Sequence, residues 1–576
     1  MPNETVKNHL KKLLLQALKE LGLELPEIQI ASPDEKFGDY SSNVALIIAK
    51  KEKKNPKEVA ALIINKLKSD ASAGELFSAI SEAGGFINFT LSQSALLDSL
   101  NEIQEQKENY GSSKMGGNKK ILVEYFQPNI AKPLHLGHLR TALIGDCLFR
   151  LFKFTGYKTE SDTHLGDWGT QFGLLLHAYK KYGDMSVIEK NPIEELNKLY
   201  VKINAEAESD ESVREAGKAE FVKLEEGDGE NRELWKKFKE YSWKEFEIVY
   251  KDLGIRRADH DWPESFFEDK MPAVLEKIKQ KGLLKESQGA QVVDLEPYRL
   301  GTALLVKSDG GTTYLLRDLA TLIYRKQQGF EKQYYVVDVR QAHTLKQTFK
   351  IIELLGAIEP GDAIHVSYGF LTLPEGAMST RKGTVVGAKE FIEQIQARAL
   401  EIIQEKNADL KNKEEVARHV ASGAIKYFDL SHNIKSDIVF DPKKAISFEG
   451  NTGPYLQYTY ARIHGILRKS QIPSTKSQIN PNDQNLKFQT QELLVLRKLY
   501  QFPEIVEQAV GDLQPNAIAN YLFELSQTFN AFYQEIPVLK EENEQIKDFR
   551  LKLITATSQV LKNGLWLLGI EAPEEM

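Results

Sequence analysis

Two imidazoles and a glycine meet in the four residues His135-Leu136-Gly137-His138. An apolar run rich in β-branched and aromatic residues, Ile121 to Phe126, precedes them and reads as a buried strand. An apolar-faced stretch from about His138 to Phe154, with Leu139, Leu143, Cys147 and Phe152, follows and reads as a helix. Pro128 and Pro133 mark the turn between them, because the residue before a proline is pushed away from helical geometry. The chemistry favoured at such a junction is phosphate binding. A helix N-terminus has unpaired N–H groups and a partial positive charge. Imidazoles placed there donate hydrogen bonds to phosphate oxygens as charge builds in a transition state. Gly137 lacks a Cβ, so a base or ribose can lie against the backbone, and Lys132 is near enough in sequence to reach the same phosphates. The bland alternative is a pair of surface histidines at a helix start.

Two other clusters invite chemistry. Met378-Ser379-Thr380-Arg381-Lys382-Gly383 is a small basic stretch after a predicted strand. Loops of this composition can close over a triphosphate, and a solvated basic turn has the same composition. Tyr455, Tyr458 and Arg462 sit at i, i+3 and i+7 of a helix predicted to start at Gly453-Pro454, hence on one face. That face suits stacking on unpaired RNA bases; a helix–helix core with a snorkelling arginine accounts for the spacing equally well.

The elements that must position these groups follow from periodicity. Residues 1–110 form a small α/β unit, with helices over about Glu4–Leu21 and Pro56–Lys68, a short strand at Glu27–Ala31 and an alternating strand in GGFINFTL. The Gly/Ser/Lys-rich 110–120 is a domain linker. A strand at Lys158–Thr163, a turn at Gly166–Gly169 and a helix from Thr170 repeat the strand–turn–helix pattern of a βαβ unit. Residues 187–262 are dense in Glu and Lys at helical spacing, an insertion whose charges mostly face solvent. Strands within 289–310, a helix Thr312–Lys326, a strand Gln333–Val339, a helix Leu345–Leu355 and a strand His365–Leu373 resume the alternation. From about Glu390 onward the pattern is nearly all helical. The expected fold is therefore α/β: a doubly wound, Rossmann-like parallel sheet with a helical insertion, a small N-terminal α/β domain and an all-α C-terminal bundle. The expected divisions are 1–110, 111–186, 187–262, 263–388, 389–450 and 451–576.

Composition narrows the partners. A chain of 576 residues forms roughly three to five domains. Its 41% apolar and 27% charged residues are those of an ordinary globular protein. A formal net charge of −7 requires any nucleic-acid surface to be a local basic patch. One cysteine excludes an intramolecular disulfide framework and a zinc–thiolate cluster, and Cys147 reads as a buried, inert thiol. No apolar run reaches membrane-spanning length and no cleavable leader is evident, so a cytoplasmic location without membrane partners is expected.

Taken together the segments resemble the class I aminoacyl-tRNA synthetases, and within them the arginyl-tRNA synthetases. VEYFQPNIAKPLHLGHLRT, GDWGTQFG, YLLRDLAT, MSTRKGTVV, NTGPYLQYTYARI and LLGIEAPEEM resemble that family's segments, in the family's order. GDYSSNVA and GGFINFTL resemble its N-terminal domain, which contacts the tRNA elbow. The resemblance implies an arginine–tRNA ligase. The arginine carboxylate attacks the α-phosphate of ATP to give arginyl-adenylate, and the arginyl group then passes to the 3′-terminal adenosine of tRNA(Arg). It also implies that tRNA must be present for activation.

The resemblance further implies roles for single residues. His135, Gly137 and His138 bind ATP, with both histidines catalytic. The second class I signature, KMSKS, stands here as Ala377-Met378-Ser379-Thr380-Arg381, lacking both lysines. Met378, Ser379, Arg381 and Lys382 then line ATP, and Lys132 leads Arg381 and Lys382 as the substitute charge. Tyr314 and Asp318, four apart on a predicted helix, resemble the guanidinium-binding pair; a guanidinium demands a carboxylate in fork geometry. An ion pair of Asp318 with Arg317 or Arg325 is the structural alternative. Glu124, Asn129 and Gln341 match the rest of the arginine site. Tyr455, Tyr458 and Arg462 match the anticodon-reading helix, with Phe532, Tyr533 and Met576 as further tRNA contacts. ATP is a substrate, Mg²⁺ accompanies it without dedicated protein ligands, and a monomer is the usual form. Rival readings are weaker. A cysteine-specific class I enzyme would carry a Cys–His metal cluster, and a small-molecule nucleotidyltransferase would not need the long helical C-terminal region. A non-catalytic RNA-binding paralogue would not need His135, His138 and Asp318.

Overall fold

The structure, a computed structural model, describes residues 5–24, 27–374, 387–470 and 488–576. Its first helix, Val6–Glu20, is capped by the Thr5 hydroxyl, which accepts from the Asn8 N–H. This helix and its neighbours cover an antiparallel sheet of Ile30–Ala31, Tyr40–Ser42, Phe86–Leu91 and Phe77–Ala83, in that spatial order. The strand 77–83 and the following helix Gln93–Gln106 were not anticipated from periodicity.

The catalytic sheet has four parallel strands. β1 (Lys120–Glu124) leads through α1 (Leu136–Phe154) to β2 (Lys158–Glu160). Much later α2 (Tyr314–Gln327) leads to β3 (Lys332–Asp338), and α3 (Ala342–Leu355) joins β3 to β4 (Ala363–Tyr368). The spatial order is β4-β3-β1-β2. Helices cover both faces, which is why Ile121, Leu122 and Val123 are successive apolar residues with no exposure. The chain leaves β1 toward one edge and β3 toward the other. The crevice between their carboxyl ends is the topological switch point, where doubly wound sheets bind ligands.

Two expected strands behave differently. Residues 289–310 do not join this sheet: Ala290–Asp294 and Thr302–Val306 pair with Leu284–Ser287 in a separate antiparallel sheet. The intervening Leu295–Gly301 is too short for a parallel crossover, which needs a dozen or more residues. The strand expected over Lys158–Thr163 breaks at Ser161, whose carbonyl accepts from the Asp259 and His260 N–H groups. Asp162–Thr163 then pairs with His260–Asp261.

The insertion contains helices Pro192–Ser209, Glu211–Glu226 and Gly229–Asp252. Beneath their charged faces they bury Leu196, Ile203, Leu224 and Phe238 against the helix Thr170–Tyr182. The approach is closest at Gly173, where a Cβ would meet the Gly217 carbonyl at 2.1 Å. The C-terminal region comprises α4 (Ala388–Lys406), α5 (Lys413–Leu430), α6 (Gly453–Ser470), α7 (Thr490–Asp512), α8 (Asn516–Glu535) and α9 (Glu544–Leu567).

The first domain docks on this helical bundle. Arg497 on α7 pairs with Asp39 at 2.9 Å, and the Tyr40 hydroxyl donates to Glu504 at 2.8 Å. The expected linker is anchored where it starts: the Tyr110 hydroxyl donates to the Leu499 carbonyl, and Asn563 donates to the Lys107 and Tyr110 carbonyls. None of the described helices is long and apolar enough to cross a membrane.

Candidate active site

His135 is the N-cap of α1. Its Nδ1 accepts from the Gly137 N–H at 3.1 Å, and the Nδ1 of His138 accepts from the His135 N–H at 3.2 Å. The rings stack with centroids 3.7 Å apart. Burial lowers the pKa of both; for His135 the Arg340 charge adds to it, and for His138 the neighbouring ring and Lys132 do. Both imidazoles are therefore neutral at pH 7. With Nδ1 accepting, the ring proton sits on Nε2. The junction thus offers two neutral donors at a helix N-terminus in the switch-point crevice. It is tied to the far end of the second signature segment: His135 bridges Gly387, and the Ala388 N–H donates to the Leu134 carbonyl at 2.8 Å. Met378, Ser379, Arg381 and Lys382 themselves lie outside the described residues.

Lys132 stands on the insertion side of the junction, its Nζ 4.1 Å from the centroid of Tyr200. The preceding Ala131 has φ +60°, a left-handed conformation rare outside glycine, and donates its N–H to Ser242 at 2.7 Å. Asn129 lies over Gly166, where a Cβ would come within 2.0 Å of its Oδ1; the GDWG turn accepts this contact because that residue is glycine. Gln341 follows the carboxyl end of β3 at the close of a short 3₁₀ turn and is exposed.

The remaining expected arginine-site residues converge beside β1. Glu124 is buried and pairs with Arg325, which also binds Asp162 at 2.6 Å. Arg317 pairs with Glu264 at 3.2 Å and Glu268 at 2.8 Å. Both arginines proposed as structural partners of Asp318 are therefore taken by other carboxylates. Asp318 retains 30% exposure, with the His164 Nε2 3.9 Å away. Burial pushes that imidazole down to about 4, so it is neutral. Burial, with the Glu124 charge, pushes the Asp318 carboxyl up to about 7. Tyr314, one helical turn before Asp318, is 55% exposed, and its ring centroid lies 5.4 Å from the Arg317 guanidinium. Sequence reasoning missed two residues here, His164 and Glu264, and gave Arg317 the wrong partner. Burial, reinforced by Asp318 and Asp167, holds the Glu264 carboxyl at about 8 despite Arg317. For Glu264 the acidic-aromatic run DWPESFFED was the available signal, and it has no periodicity.

One buried arginine braces the scaffold. Arg140 on α1 donates to the carbonyls of Gly369 and Phe370 at 2.7 and 2.9 Å and to that of Ile434 at 3.2 Å. Its Nε lies 3.5 Å from Asp429 on α5, whose carboxyl burial holds at about 6. Helix, strand end and connecting region are thus fixed to one another. Cys147, further along α1, is buried and its thiol is held protonated by burial.

On α6, Tyr458 projects outward, 45% exposed. Tyr455 and Arg462 are half-buried, and both bind Asn530: its amide donates to the Tyr455 hydroxyl at 2.9 Å, and Arg462 donates to its Oδ1 at 3.2 Å. Arg462 also lies 5.2 Å from the Tyr533 ring centroid. Phe532 corrects an expectation. It is fully buried and supports α8 from within the bundle, with no face for a ligand. The Met576 carbonyl accepts from Asn407 at 3.2 Å, which fixes the end of the chain against α4.

Neutral donors at the switch point of a doubly wound sheet, a carboxylate pocket beside them and an appended helical bundle with an aromatic face define a class I aminoacyl-tRNA synthetase. Three family models match: "tRNA synthetases class I (R), catalytic domain" over residues 99–442, "Arginyl tRNA synthetase N terminal domain" over 8–91 and "DALR anticodon binding domain" over 456–576. An arginine–tRNA ligase of Clostridioides difficile is 41% identical over 573 residues, covering 99% of both chains. One from Clostridium beijerinckii is 39% identical over 575 residues, covering 100% of this chain and 99% of the other. The solved arginyl-tRNA synthetases of Plasmodium falciparum and Thermus thermophilus superpose with TM-scores of 0.85 and 0.83, at 26% and 27% identity. They cover 100% and 99% of this chain and the same shares of their own. The chain belongs to the arginyl-tRNA synthetase family.

Proposed function

We propose that the protein joins L-arginine to tRNA(Arg) in two steps, activating the amino acid with ATP only when tRNA is present. The observation that carries the amino-acid assignment is Asp318. It is a carboxylate enclosed beside β1 without an ion-pairing Lys or Arg among the described residues, because Arg317 and Arg325 are already paired. A substrate guanidinium supplies the missing cation, with Tyr314 at its side and Glu264 as a second acid. Glu124 and Asn129 wall the pocket, and Gln341 meets the α-amino group at the crevice. The His135 and His138 Nε2–H groups point their dipoles at the α-phosphate. When the arginine carboxylate oxygen attacks there, the bond to the bridging oxygen breaks and pyrophosphate leaves. Donors fixed beforehand stabilise the added charge without reorganising.

Lys132, with Arg381 and Lys382, neutralises the leaving group, and Met378 and Ser379 complete the nucleotide site. The adenylate then passes its arginyl group to the terminal ribose, with AMP leaving. The tRNA is read by Tyr455, Tyr458, Arg462 and Tyr533, with Met576 alongside. Mg²⁺ arrives with the phosphates of ATP; among the described residues no group of three His, Cys, Asp or Glu side chains is built to hold a metal. The enzyme works as a cytoplasmic monomer, and the six divisions given above separate tRNA contact, catalysis and anticodon reading.

ATP–pyrophosphate exchange with each of the twenty amino acids, with and without total tRNA, tests the reading. Exchange is expected with arginine alone and only with tRNA present. Exchange driven by another amino acid would overturn it, as would no exchange in the complete mixture.

A further inference from the structure

In the proposed reaction Lys132 meets the leaving pyrophosphate, and a residue of the insertion holds that lysine. The Lys132 Nζ sits 4.1 Å from the centroid of the Tyr200 ring. Among the described residues Lys132 has no carboxylate partner. Tyr200 lies on the insertion helix Pro192–Ser209, four residues after the buried Leu196 and three before the buried Ile203. That spacing sets it beside the inward stripe of the helix. There it packs on a small core shared by Ile130 and Ala131, which lead into Lys132, and by Trp168 of the GDWG turn. The Ala131 N–H is held by Ser242, also of the insertion. The backbone before this lysine and its ammonium are thus both anchored by the insertion.

Seated on the ring, the ammonium still faces the histidine pair. After burial, with Arg340 at His135 and the His135 ring at His138, the Lys132 charge helps to hold both imidazoles neutral. The Tyr200 phenol lies toward the arginine pocket: after burial and Glu264, it helps to push the Tyr314 phenol up. A free lysine side chain samples many rotamers, and fixing it beforehand removes that cost from the reaction. A carboxylate would fix the ammonium as well, but would cancel the charge that the phosphates need. A ring face attracts the ammonium and leaves its net charge intact. The geometry points to Tyr200 as a positioning residue of the first step, one that holds the Lys132 ammonium uncompensated beside His135 and His138 before ATP arrives. The insertion is then part of the nucleotide site. The inference rests on Lys132 being the lysine that meets pyrophosphate.

Full-length Tyr200→Leu, Tyr200→Phe, Lys132→Met and the Tyr200→Leu/Lys132→Met double variant test it in tRNA-dependent ATP–pyrophosphate exchange with ATP varied. Tyr200→Leu should lower kcat/KM for ATP at least threefold and up to about 30-fold, the span of a cation–π contact from partly exposed to desolvated. Tyr200→Phe keeps the ring and should recover at least half of that loss. On the Lys132→Met background the Tyr200→Leu change should cost less than threefold, because the ring has no ammonium left to hold. A packing defect would persist in both backgrounds. Tyr200→Met takes the place of the leucine variant should that fold poorly. A loss under threefold in the parent, or of threefold or more in both backgrounds, overturns the inference. Lys132→Met separates the two failures. If it stays within about threefold of the parent, the assignment of Lys132 falls and the inference with it; if it loses more while Tyr200→Leu does not, Lys132 stands and Tyr200 alone is wrong.

Discussion

His135 and His138 each spend one ring nitrogen on the backbone, and that fixes Nε2 as the nitrogen left to donate. The sequence showed two imidazoles at a helix start; that each of them accepts from the backbone through Nδ1 emerged only with the structure. The acid pocket was legible only in part. Asp318 was singled out through the resemblance of the Tyr314–Asp318 pair to the family's guanidinium site, but Glu264 and His164 come from distant segments and only burial reveals them. Their pKa values carry a prediction. A guanidinium binds the ionised carboxylates, and the free protein holds Asp318 at about 7 and Glu264 at about 8. The ionised fraction rises with pH, so the arginine KM should fall from pH 6 to pH 8.5 while the KM for ATP does not follow it. Asp318→Asn removes one charged hydrogen-bond acceptor, worth about 2–3 kcal/mol, and should raise the arginine KM by about 30- to 150-fold. It should also flatten the lower part of that pH profile. An arginine saturation curve like that of the parent rejects the assignment. Lys132 faces a comparative test. Lys132→Ala should slow tRNA-dependent pyrophosphate exchange at least as much as Lys382→Ala; a rate within about threefold of the parent, under roughly 1 kcal/mol, dismisses it.

Helix α6 shows why spacing alone left two readings level. Tyr455 and Arg462 are braced by Asn530 as in a core, while Tyr458, on the same stripe, projects into solvent. One face serves both purposes, and its period cannot say where the bundle ends. Phe532 and Tyr533 are adjacent in sequence, yet α8 turns the first into the core. Tyr458→Ala should lower kcat/KM for tRNA by about 5- to 150-fold, the roughly 1–3 kcal/mol of a lost stacking platform, without shifting the melting temperature. Phe532→Ala should do the reverse, costing about 3–5 kcal/mol of stability through the cavity it leaves. Thermal melts and tRNA kinetics on the same two proteins decide this; equal melting temperatures would refute the division of labour.

For the molecule as a whole, the alternation of strand and helix announced the parallel sheet, since each β–turn–α unit is contiguous in sequence. The satellite hairpin at 284–306 mimicked it, because strand propensity does not state the partner. The docking of the first domain on α7 left no mark in the sequence at all. It rests on pairs such as Asp39–Arg497 and Tyr40–Glu504, separated by more than four hundred residues. That contact makes the chain a closed circuit in space: its early and late domains hold each other whatever happens to the strand of backbone between them. Lys114, Met115 and Gly117 to Lys119 are exposed on either side of a buried Gly116, with Met115 at 47%, and the two lysines offer trypsin a place to cut. A single nick there should leave two fragments that travel as one species in native electrophoresis and part only in denaturant. Asp39→Ala combined with Tyr40→Phe should let them separate without it. The covalent connection is then a tether that raises local concentration, and the fold's integrity at that seam belongs to the interface.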